Sequence, residues 1–257
     1  MIFQNGVSEK RYYEQEVSEE EFLDWYKKQD WPRFEKPSVT ADMVVYSFVD
    51  GEMKLVLIRR ASHPCQHKLS LVGGFIRPDQ DAYTTCQYQI YKEVGIDLPR
   101  HHIEQLVTVT NPTRDPRGWV MTVAHLVYLP SQALEHLQPG EDGRQPLVID
   151  VDFKQRTCSY QGKLLTEADF AFDHYEIVQT SIKRIQGRMD WNPTFLHLLQ
   201  APFTIYAATD LVNAISPDKT IIHNNFLSKY GDFVQEVGVE KVAKKKPRKT
   251  YCLKKEE

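Results

Sequence analysis

The chain has 257 residues, of which 41% are hydrophobic and 26% charged, and a formal net charge of −3. These values are ordinary for globular proteins and allow two modest domains. The amino terminus lacks the apolar region of a signal peptide, and no uninterrupted apolar run approaches the ~20 residues that span a membrane. The four cysteines have neither zinc-site spacing nor a secreted disulfide framework. We therefore expect a soluble, cytoplasmic protein with reduced cysteines and no zinc.

Near the amino terminus, Ser18 and Glu21 have the spacing of a capping box, which predicts that a short helix begins there. Pro32 and Pro37 punctuate the path into the first strand. We interpret residues 1–37 as an N-terminal extension without chemistry of its own.

Residues Met43 to Arg60 read as two β-rich runs joined at Asp50-Gly51, a strong hairpin signal. The second run ends in Arg59 and Arg60. Arginine forks suit phosphate recognition, so both are candidate ligand-binding residues. Adjacent strand residues point to opposite faces, so one of the two should face solvent.

Residues 71–96, LVGGFIRPDQDAYTTCQYQIYKEVGI, have the pattern of a Nudix phosphohydrolase box, in which a glycine turn leads into a helix. Five residues match the pattern: Gly74, Ile90, Glu93, Gly95 and Ile96. Ala82, Cys86 and Ile90 recur every fourth residue and predict an amphipathic helix. Gly73 and Gly74 are candidate ligand-binding positions at the predicted turn.

Four positions depart from the box: Gln80, Tyr88, Gln89 and Lys92 stand where the pattern has Glu, Arg, Glu and Glu. Positions 89, 92 and 93 share one helix face. Magnesium usually reaches a pyrophosphate through carboxylates, and this face retains only Glu93, a weak or absent metal ligand. We therefore expect no catalytic residues and no required cofactor, with Mg²⁺ involved only if hydrolase activity remains.

Two strand-like runs, Ile103 to Thr110 and Val120 to Leu129, flank the loop NPTRDPRGW. Arg114, Asp115 and Arg117 in this loop are candidate ligand-binding residues, because arginine forks recognise phosphates. The alternative is an exposed loop that carries arginines without a function, and the sequence leaves both interpretations open.

A composition shift at residues 139–143 indicates that a first domain, residues 38–160, ends in the region that follows. A connecting region, residues 161–200, contains a helical pattern from Asp169 to Met189. At its start we expect Asp173 to cap exposed N–H groups. For His174 we favour a structural or capping role over a catalytic one.

Residues 201–257 predict a winged helix. A helix from Phe203 to Ile215, a turn, and a second helix from Thr220 to Tyr230 have helix-turn-helix spacing. Strand-like pieces at 232–236 and 250–253 then flank a basic loop.

From Lys241 to Glu257 the local charge is plus six, on a chain whose total is −3. Such a basic segment suits DNA phosphates, and polar residues of the second helix suit base edges. The alternative is a disordered basic tail. The candidate DNA-binding residues are Asn224, Asn225, Ser228, Lys229, Lys244, Lys245, Lys246, Arg248 and Lys249.

Four motifs together resemble the Nudix-related transcriptional regulators of NAD metabolism. They are LVGGFI (71–76), RDPRGW (114–119), AFDH (171–174) and the FTI…NNF spacing (203–226). The resemblance implies an α/β fold, a Nudix α/β/α sandwich with a C-terminal winged helix-turn-helix domain. It also implies a homodimer that binds ADP-ribose or a related NAD-derived nucleotide and a double-stranded DNA operator. Leu227 and Ser228 depart from it, because those places are often basic.

A diphosphate pocket that does not hydrolyse its ligand suits a sensor, because the ligand must persist to shift a conformational equilibrium. The alternative is an active Nudix pyrophosphatase that hydrolyses ADP-ribose or sugar nucleotides with metal ligands outside the box. In a third interpretation the C-terminal domain contacts protein rather than DNA.

Overall fold

The computed structural model describes residues 8–30, 35–139, 145–216, 220–241 and 247–254, and only the backbone of Glu93 and Val94. Contacts divide the chain into two compact units, residues 1–36 and 37–257. The first contains α1 (Glu9–Gln15) and α2 (Glu19–Lys28). The predicted capping box is confirmed, because Ser18 and Glu21 each accept a hydrogen bond from the other's backbone N–H. Among the described helices, none combines the length and apolar character needed to cross a membrane.

The second unit is built on one mixed sheet, whose order is β5-β6-β1-β2-β7-β8-β9, with β3 paired to β2 and β4 to β1. Only the β1–β6 pairing is parallel among the named strand pairs. Asp50 and Gly51 both have positive φ at the β1–β2 connection, which confirms the predicted hairpin. The strands are β1 (Ser38–Val49), β2 (Glu52–Arg59), β3 (Leu69–Ser70), β4 (Val72–Phe75), β5 (Ile103–Val109), β6 (Val120–Leu129), β7 (Pro146–Asp152), β8 (Thr157–Tyr160) and β9 (Lys163–Leu165).

The segment that was expected only to close the first domain supplies three further strands, β7 to β9. In β7, Ile149 and Val151 are buried while Asp150 and Asp152 are exposed. This is the alternation of a half-buried strand, but it covers few residues within a polar stretch. The sheet is therefore wider than the sequence predicted.

The predicted glycine turn is also corrected, since Gly73 and Gly74 lie inside β4 and pair with Asp42 and Ala41 of β1. A Cβ atom at Gly73 would lie 2.6 Å from the Ala41 carbonyl oxygen and 2.6 Å from Asp42 Oδ1. Close approach to β1, and not a turn conformation, requires glycine there.

The two faces of the sheet are covered by different helices. On one face, Cys86 and Ile90 of α3 (Ala82–Val94) pack against residues of β1, β2 and β6 such as Val45. On the other face, α4 (His174–Arg188) buries Ile177, Val178, Ile182 and Ile185. Asp81 caps α3, since its side chain accepts the Thr84 N–H at 2.7 Å. The predicted α/β/α sandwich is confirmed.

The predicted winged helix is confirmed as well. It comprises β10 (Phe203–Thr204), α5 (Ile205–Ile215), α6 (His223–Tyr230), β11 (Val234–Glu240) and β12 (Arg248–Leu253), with β12 between β10 and β11 in a three-stranded sheet. Helix α6 begins at His223, three residues later than predicted. The wing strand β11 extends to Glu240, four residues further than predicted.

A single hydrophobic cluster joins the sandwich to the winged helix. It runs from Leu55 of β2 through Ile182 of α4 to Leu211 of α5 and Phe226 of α6. The Gln186 side-chain amide of α4 also donates to the carbonyl oxygens of Phe153 and Ile215, at 2.9 and 3.0 Å. Helix α4 is therefore a shared wall of both domains.

Truncation of Ile182 tests this shared wall. The side chain is fully buried, so Ile182→Ala should lower the free energy of unfolding by about 3 kcal/mol through lost burial and a cavity. Urea denaturation should show one destabilised transition for both domains. Lys183→Ala, on the exposed face of α4, is the control and should change stability by less than about 0.5 kcal/mol. Separate transitions would contradict a common core.

Candidate functional site

The motifs RDPRGW and AFDH, far apart in sequence, meet through a buried arginine. Arg114 donates from Nε and Nη2 to the two carboxylate oxygens of Asp173, at 2.8 and 2.7 Å. Arg114 Nη2 also lies 3.3 Å from Asp42 Oδ2 on β1. The Arg114 side chain is only 3% exposed. The network therefore connects the β5–β6 loop, strand β1 and the start of α4.

This geometry corrects two expectations. Arg114 was predicted to contact a phosphate, but its guanidinium is directed at two carboxylates, which places it in the framework of the site. Asp173 was expected to cap α4, yet it makes no side-chain cap hydrogen bond because its carboxylate binds Arg114. Burial opposes the charged guanidinium, but Asp173 and Asp42 outweigh burial and raise the pKa of Arg114.

His174 completes the network from the first turn of α4. Its Nδ1 accepts the backbone N–H of Leu71 at 3.0 Å, and its Nε2 lies 3.9 Å from Asp42 Oδ2. The ring is buried, and this burial is the main cause that lowers the pKa of His174. The residue thus holds the β3–β4 connection at Leu71 against α4 in its neutral form, which agrees with the structural role predicted for it.

Arg117 forms an exposed surface beside this framework. It binds Asp115 through two side-chain nitrogens, with Nη2–Oδ2 at 2.7 Å. Its guanidinium carbon lies 5.4 Å from the Phe75 ring centre and 5.7 Å from that of Phe172. The Asp115 side chain is 4% exposed, whereas that of Arg117 is 46% exposed. Asp115 therefore orients Arg117, and Arg117 is the member of the pair available to a ligand.

The two arginines at the end of β2 separate. The Arg60 guanidinium lies 5.0 Å from the Phe172 ring centre, on the surface that Arg117 shares. Arg59 is exposed, donates to the His67 carbonyl at 3.0 Å and lines a different cavity of roughly 480 Å³. The alternation of strand residues explains the separation. We call Arg60, Phe75, Arg117 and Phe172 the arginine–aromatic surface.

Phe172 adds a backbone feature to this surface. Its φ is 54°, in the left-handed region that bulky residues rarely adopt. It immediately precedes Asp173, which binds Arg114. The strained conformation is thus held from both sides, by the arginines over its ring and by the next residue's ion pair.

At the start of α3 and along it, four positions of the Nudix box hold residues other than those of the complete pattern. Gln89 lies against β4 so closely that a Cβ atom at Gly74 would overlap its amide. Tyr88 is exposed, and the Arg77 guanidinium lies 5.5 Å from its ring centre. Gln80 accepts the Thr85 hydroxyl at 3.4 Å, and Lys92 is half-buried. The Glu93 side chain lies outside the described part of the structure, so its assignment as a metal ligand stays a prediction.

The winged helix presents one polar face. Asn224, Asn225 and Ser228 are exposed on α6, while Phe226 and Tyr230 anchor the helix in the core. This orientation leaves the predicted base-reading side chains available in the second helix of a helix-turn-helix. Leu227 is 40% exposed on the same helix.

Three predicted basic residues have protein partners. Lys229 Nζ lies 2.6 Å from Asp190 Oδ1, beyond the end of α4, so the structure directs this lysine away from its predicted role toward the connecting segment. Lys249 pairs with Glu236 across the wing at 2.8 Å, and the Arg248 guanidinium lies 4.3 Å from the Tyr206 ring centre. Lys244, Lys245 and Lys246 lie outside the described residues.

Sequence reasoning missed Asp42, Phe75 and Phe172. Asp42 lies in an apolar β-rich run, where a single acid gives no motif. Phe75 and Phe172 stand inside the quoted motifs LVGGFI and AFDH, but their proximity depends on how the strands pair. The one available signal in the sequence was that an aromatic residue, Phe75, directly follows Gly73 and Gly74.

Removal of Arg114 should destabilise the protein strongly. Arg114→Ala leaves two poorly exposed carboxylates without their cation, and breaking a buried pair in this way costs about 3 kcal/mol. Urea denaturation measures the loss. Lys163→Ala breaks the largely exposed pair with Asp169 and should cost less than about 1 kcal/mol. Equal effects of the two changes would show that the Arg114 network does not hold the site.

The burial of His174 predicts a pH dependence. Because its pKa is lower in the folded protein than the unfolded value of about 6.5, the unfolded chain binds a proton more readily, and this contribution to stability is lost as pH falls below about 6.5. His174→Gln should flatten the decline in the free energy of unfolding between about pH 7.5 and 5.5, measured by urea denaturation, by up to about 1.4 kcal/mol per pH unit. The exposed His136 provides the control variant, His136→Gln. An unchanged slope in His174→Gln would contradict the assignment.

Comparison with known proteins places this arrangement in a family. The NUDIX domain profile matches residues 37–152. The ADPR responsive transcriptional repressor NtrR of Acinetobacter baylyi is 25% identical over 239 residues, which cover 91% of this chain and 88% of that protein.

Solved structures extend the similarity over nearly all of the chain. The crystal structure of Shewanella oneidensis NrtR complexed with a 27mer DNA aligns with a TM-score of 0.65 at 24% identity, covering 84% of this chain and 93% of that chain, and shares the fold. A MutT/nudix family protein from Enterococcus faecalis aligns with a TM-score of 0.84 at 30% identity, covering 96% of this chain and 99% of that chain. This chain therefore belongs to the MutT/Nudix family.

Proposed function

We propose that this protein is a transcriptional regulator whose Nudix domain binds ADP-ribose or a related NAD-derived nucleotide and thereby controls DNA binding by the winged helix. The observation that carries this proposal is the continuous core between a winged helix and a Nudix domain whose α3 lacks most of the metal-binding carboxylates. A similar protein, NtrR, is named as an ADPR responsive transcriptional repressor.

The chemistry of α3 supports binding without rapid hydrolysis. A Nudix-type hydrolase needs divalent ions to neutralise the scissile phosphates and to activate water. Here Gln89 and Lys92 replace two carboxylates, and the Gln89 amide lies against Gly74. An amide and an ammonium are poor substitutes for the anionic oxygens that Mg²⁺ prefers.

The arginine–aromatic surface supplies groups that suit a nucleotide diphosphate. Phe75 is 45% exposed and offers a flat face on which a base can stack. Arg117 and Arg60 offer guanidinium groups for phosphate oxygens. Two residues support this surface from behind. Arg114 fixes the β5–β6 loop, and Asp115 orients the side chain of Arg117.

The same surface is connected to the start of α4. Phe172 lies between the arginines and Asp173, and α4 carries the core contacts of the winged helix. A nucleotide that engages Arg60 and Arg117 changes the interactions of Phe172 and thus favours one position of α4. Such a ligand shifts DNA affinity only by the difference in its affinity for the two arrangements.

The DNA side of the proposal rests on the exposed face of α6. Asn224 and Asn225 can form bidentate hydrogen bonds with adenine edges in a major groove. The basic wing segment, whose central lysines lie outside the described residues, supplies positive charge for phosphates. The homodimer implied by the family resemblance stays a prediction.

The first test measures binding of the full chain to its own upstream region by fluorescence anisotropy. With about four phosphates neutralised, affinity should fall by about 100-fold between 50 and 200 mM salt. The double variant Asn224→Ala/Asn225→Ala should lose at least about tenfold in specific affinity, while the exposed-amide control Gln105→Ala should bind as the wild type. If the protein does not bind this DNA, the regulator proposal fails.

The second test titrates ADP-ribose into the protein–DNA complex and follows AMP release in parallel. ADP-ribose should change DNA affinity, and Phe75→Ala should weaken the nucleotide response about tenfold through lost stacking. Tyr91→Ala, at another exposed aromatic residue, is the matched control. Magnesium-dependent turnover above ~1 per second would instead establish the pyrophosphatase alternative.

A further inference from the structure

Three histidines converge at a place that the Nudix and winged-helix functions do not use. His101 and His102 lie in the 3₁₀ turn Arg100–His102, directly before β5. His197 lies in the 3₁₀ segment Thr194–Leu198, between α4 and β10. One potential ligand nitrogen from each ring lies within 4.8 Å of the others, the one such group among the described His, Cys, Asp and Glu side chains.

The ring of His102 is oriented by a backbone carbonyl. Its Nδ1 lies 2.6 Å from the Tyr128 carbonyl oxygen, and a carbonyl can only accept, so Nδ1 carries the proton and donates it. Nε2 is then left with its lone pair. Metal-bound histidines usually donate their second nitrogen to a carbonyl or carboxylate in this way.

Tyr128 also holds the opposite side of the cluster. Its hydroxyl lies 3.2 Å from Thr194 Oγ1, and Thr194 donates to Glu104 at 3.0 Å. Thr194 begins the 3₁₀ segment that carries His197. One buried tyrosine of β6 thus positions both halves of the cluster, His102 through its carbonyl and the His197 segment through its hydroxyl.

The surroundings also favour the neutral ring, which is the form that binds metals. Burial lowers the pKa of His102, and burial together with the two neighbouring histidines lowers that of His197 to about 4. The three ring centres lie 4.7 to 5.1 Å from one another. The three rings are therefore close together, and burial favours the neutral form of His102 and His197.

We propose that His101, His102 and His197 form a binding site for a divalent transition metal of the Zn²⁺ class. Three imidazoles suit such borderline cations and leave a fourth tetrahedral position for water or another ligand. Zinc–nitrogen bonds of about 2.0–2.1 Å require nitrogens about 3.4 Å apart. The three nitrogens lie within 4.8 Å of one another, so metal binding draws them together by up to about 1.4 Å. The exposed ring of His101 can rotate toward the other two rings.

The position of the site gives the metal a structural consequence. His101 and His102 precede β5 of the Nudix sheet, whereas His197 belongs to the connection that leads from α4 into the winged helix. A bound ion cross-links these two segments and restrains the connection. Zinc was not expected from the sequence, because the scattered cysteines gave no zinc motif and His197 is distant along the chain from His101 and His102.

The proposal is tested with chelator-treated full-length protein titrated with Zn²⁺ in a calorimeter, in the presence of excess Mg²⁺. One ion should bind per chain, and Mg²⁺ should not compete, since it prefers oxygen ligands. His101→Ala and His197→Ala should each weaken Zn²⁺ binding by at least about tenfold. His136→Ala, at an exposed histidine outside the cluster, should bind as the wild type.

Two further readouts keep the test decisive. Co²⁺ added in place of Zn²⁺ should produce visible absorption bands of a tetrahedral site in the wild type and in His136→Ala, but not in His101→Ala. His101 is exposed, so that variant should fold normally, as circular dichroism can verify. Zn²⁺ should also raise the melting temperature of the wild type by several degrees and slow hydrogen exchange in residues 194–198.

Two results would contradict the proposed metal site. Wild-type protein that binds no Zn²⁺, or His101→Ala and His197→Ala variants that bind it as tightly as the wild type does, would show that the three rings are only packed against each other. Neither result depends on DNA or ADP-ribose binding.

Discussion

The ion pair between Arg114 and Asp173 is the contact on which the arrangement of the site depends. Arg114 comes from the β5–β6 loop, and Asp173 stands immediately before α4. The same guanidinium reaches Asp42 on β1 at 3.3 Å, beside the strand that carries Gly73 and Gly74. Three segments that are distant in sequence are therefore fixed by one side chain that is 3% exposed.

A buried ion pair is an expensive way to connect segments, because both charges lose their hydration. An apolar contact of equal volume could serve stability as well. The charge network provides directional contacts instead, since a bidentate guanidinium fixes both the distance and the plane of the carboxylate. That precision matters where Phe172, next to Asp173, must hold a left-handed conformation beneath Arg60 and Arg117.

Local patterns in the sequence predicted most of the elements, because their causes are local. The Asp50-Gly51 hairpin, the Ser18 capping box and the Cys86–Ile90 stripe each depend on residues within one turn or one hairpin. The two helices and the wing of the C-terminal domain followed from the same reasoning, with boundary errors of two to four residues. Strands β7 to β9 were missed because their pairing, and not their composition, defines them.

The site was less predictable, because its residues acquire their roles through distant partners. The arginines of RDPRGW made Arg114 a candidate phosphate ligand, yet nothing within that loop reveals that Asp173 binds its guanidinium. Asp173 had the local signature of a helix cap, and its carboxylate was bound elsewhere. The histidine cluster is the extreme case, since His102 and His197 are distant in sequence and Tyr128 of β6 contacts both of their segments.

The network of Arg114, Asp173 and His174 is present although α3 lacks most of the metal-binding carboxylates of a Nudix hydrolase. If Arg114, Asp173 and His174 served only hydrolysis, this buried polar network would be replaceable once α3 lacked most of its acids. Their joint position between the arginine–aromatic surface and α4 gives them another use. They link the place where a nucleotide can be bound to the helix that shares its core with the winged helix. The desolvation of these buried charges is thus explained by the coupling of two domains. A hydrolase that consists of one domain would not need that coupling.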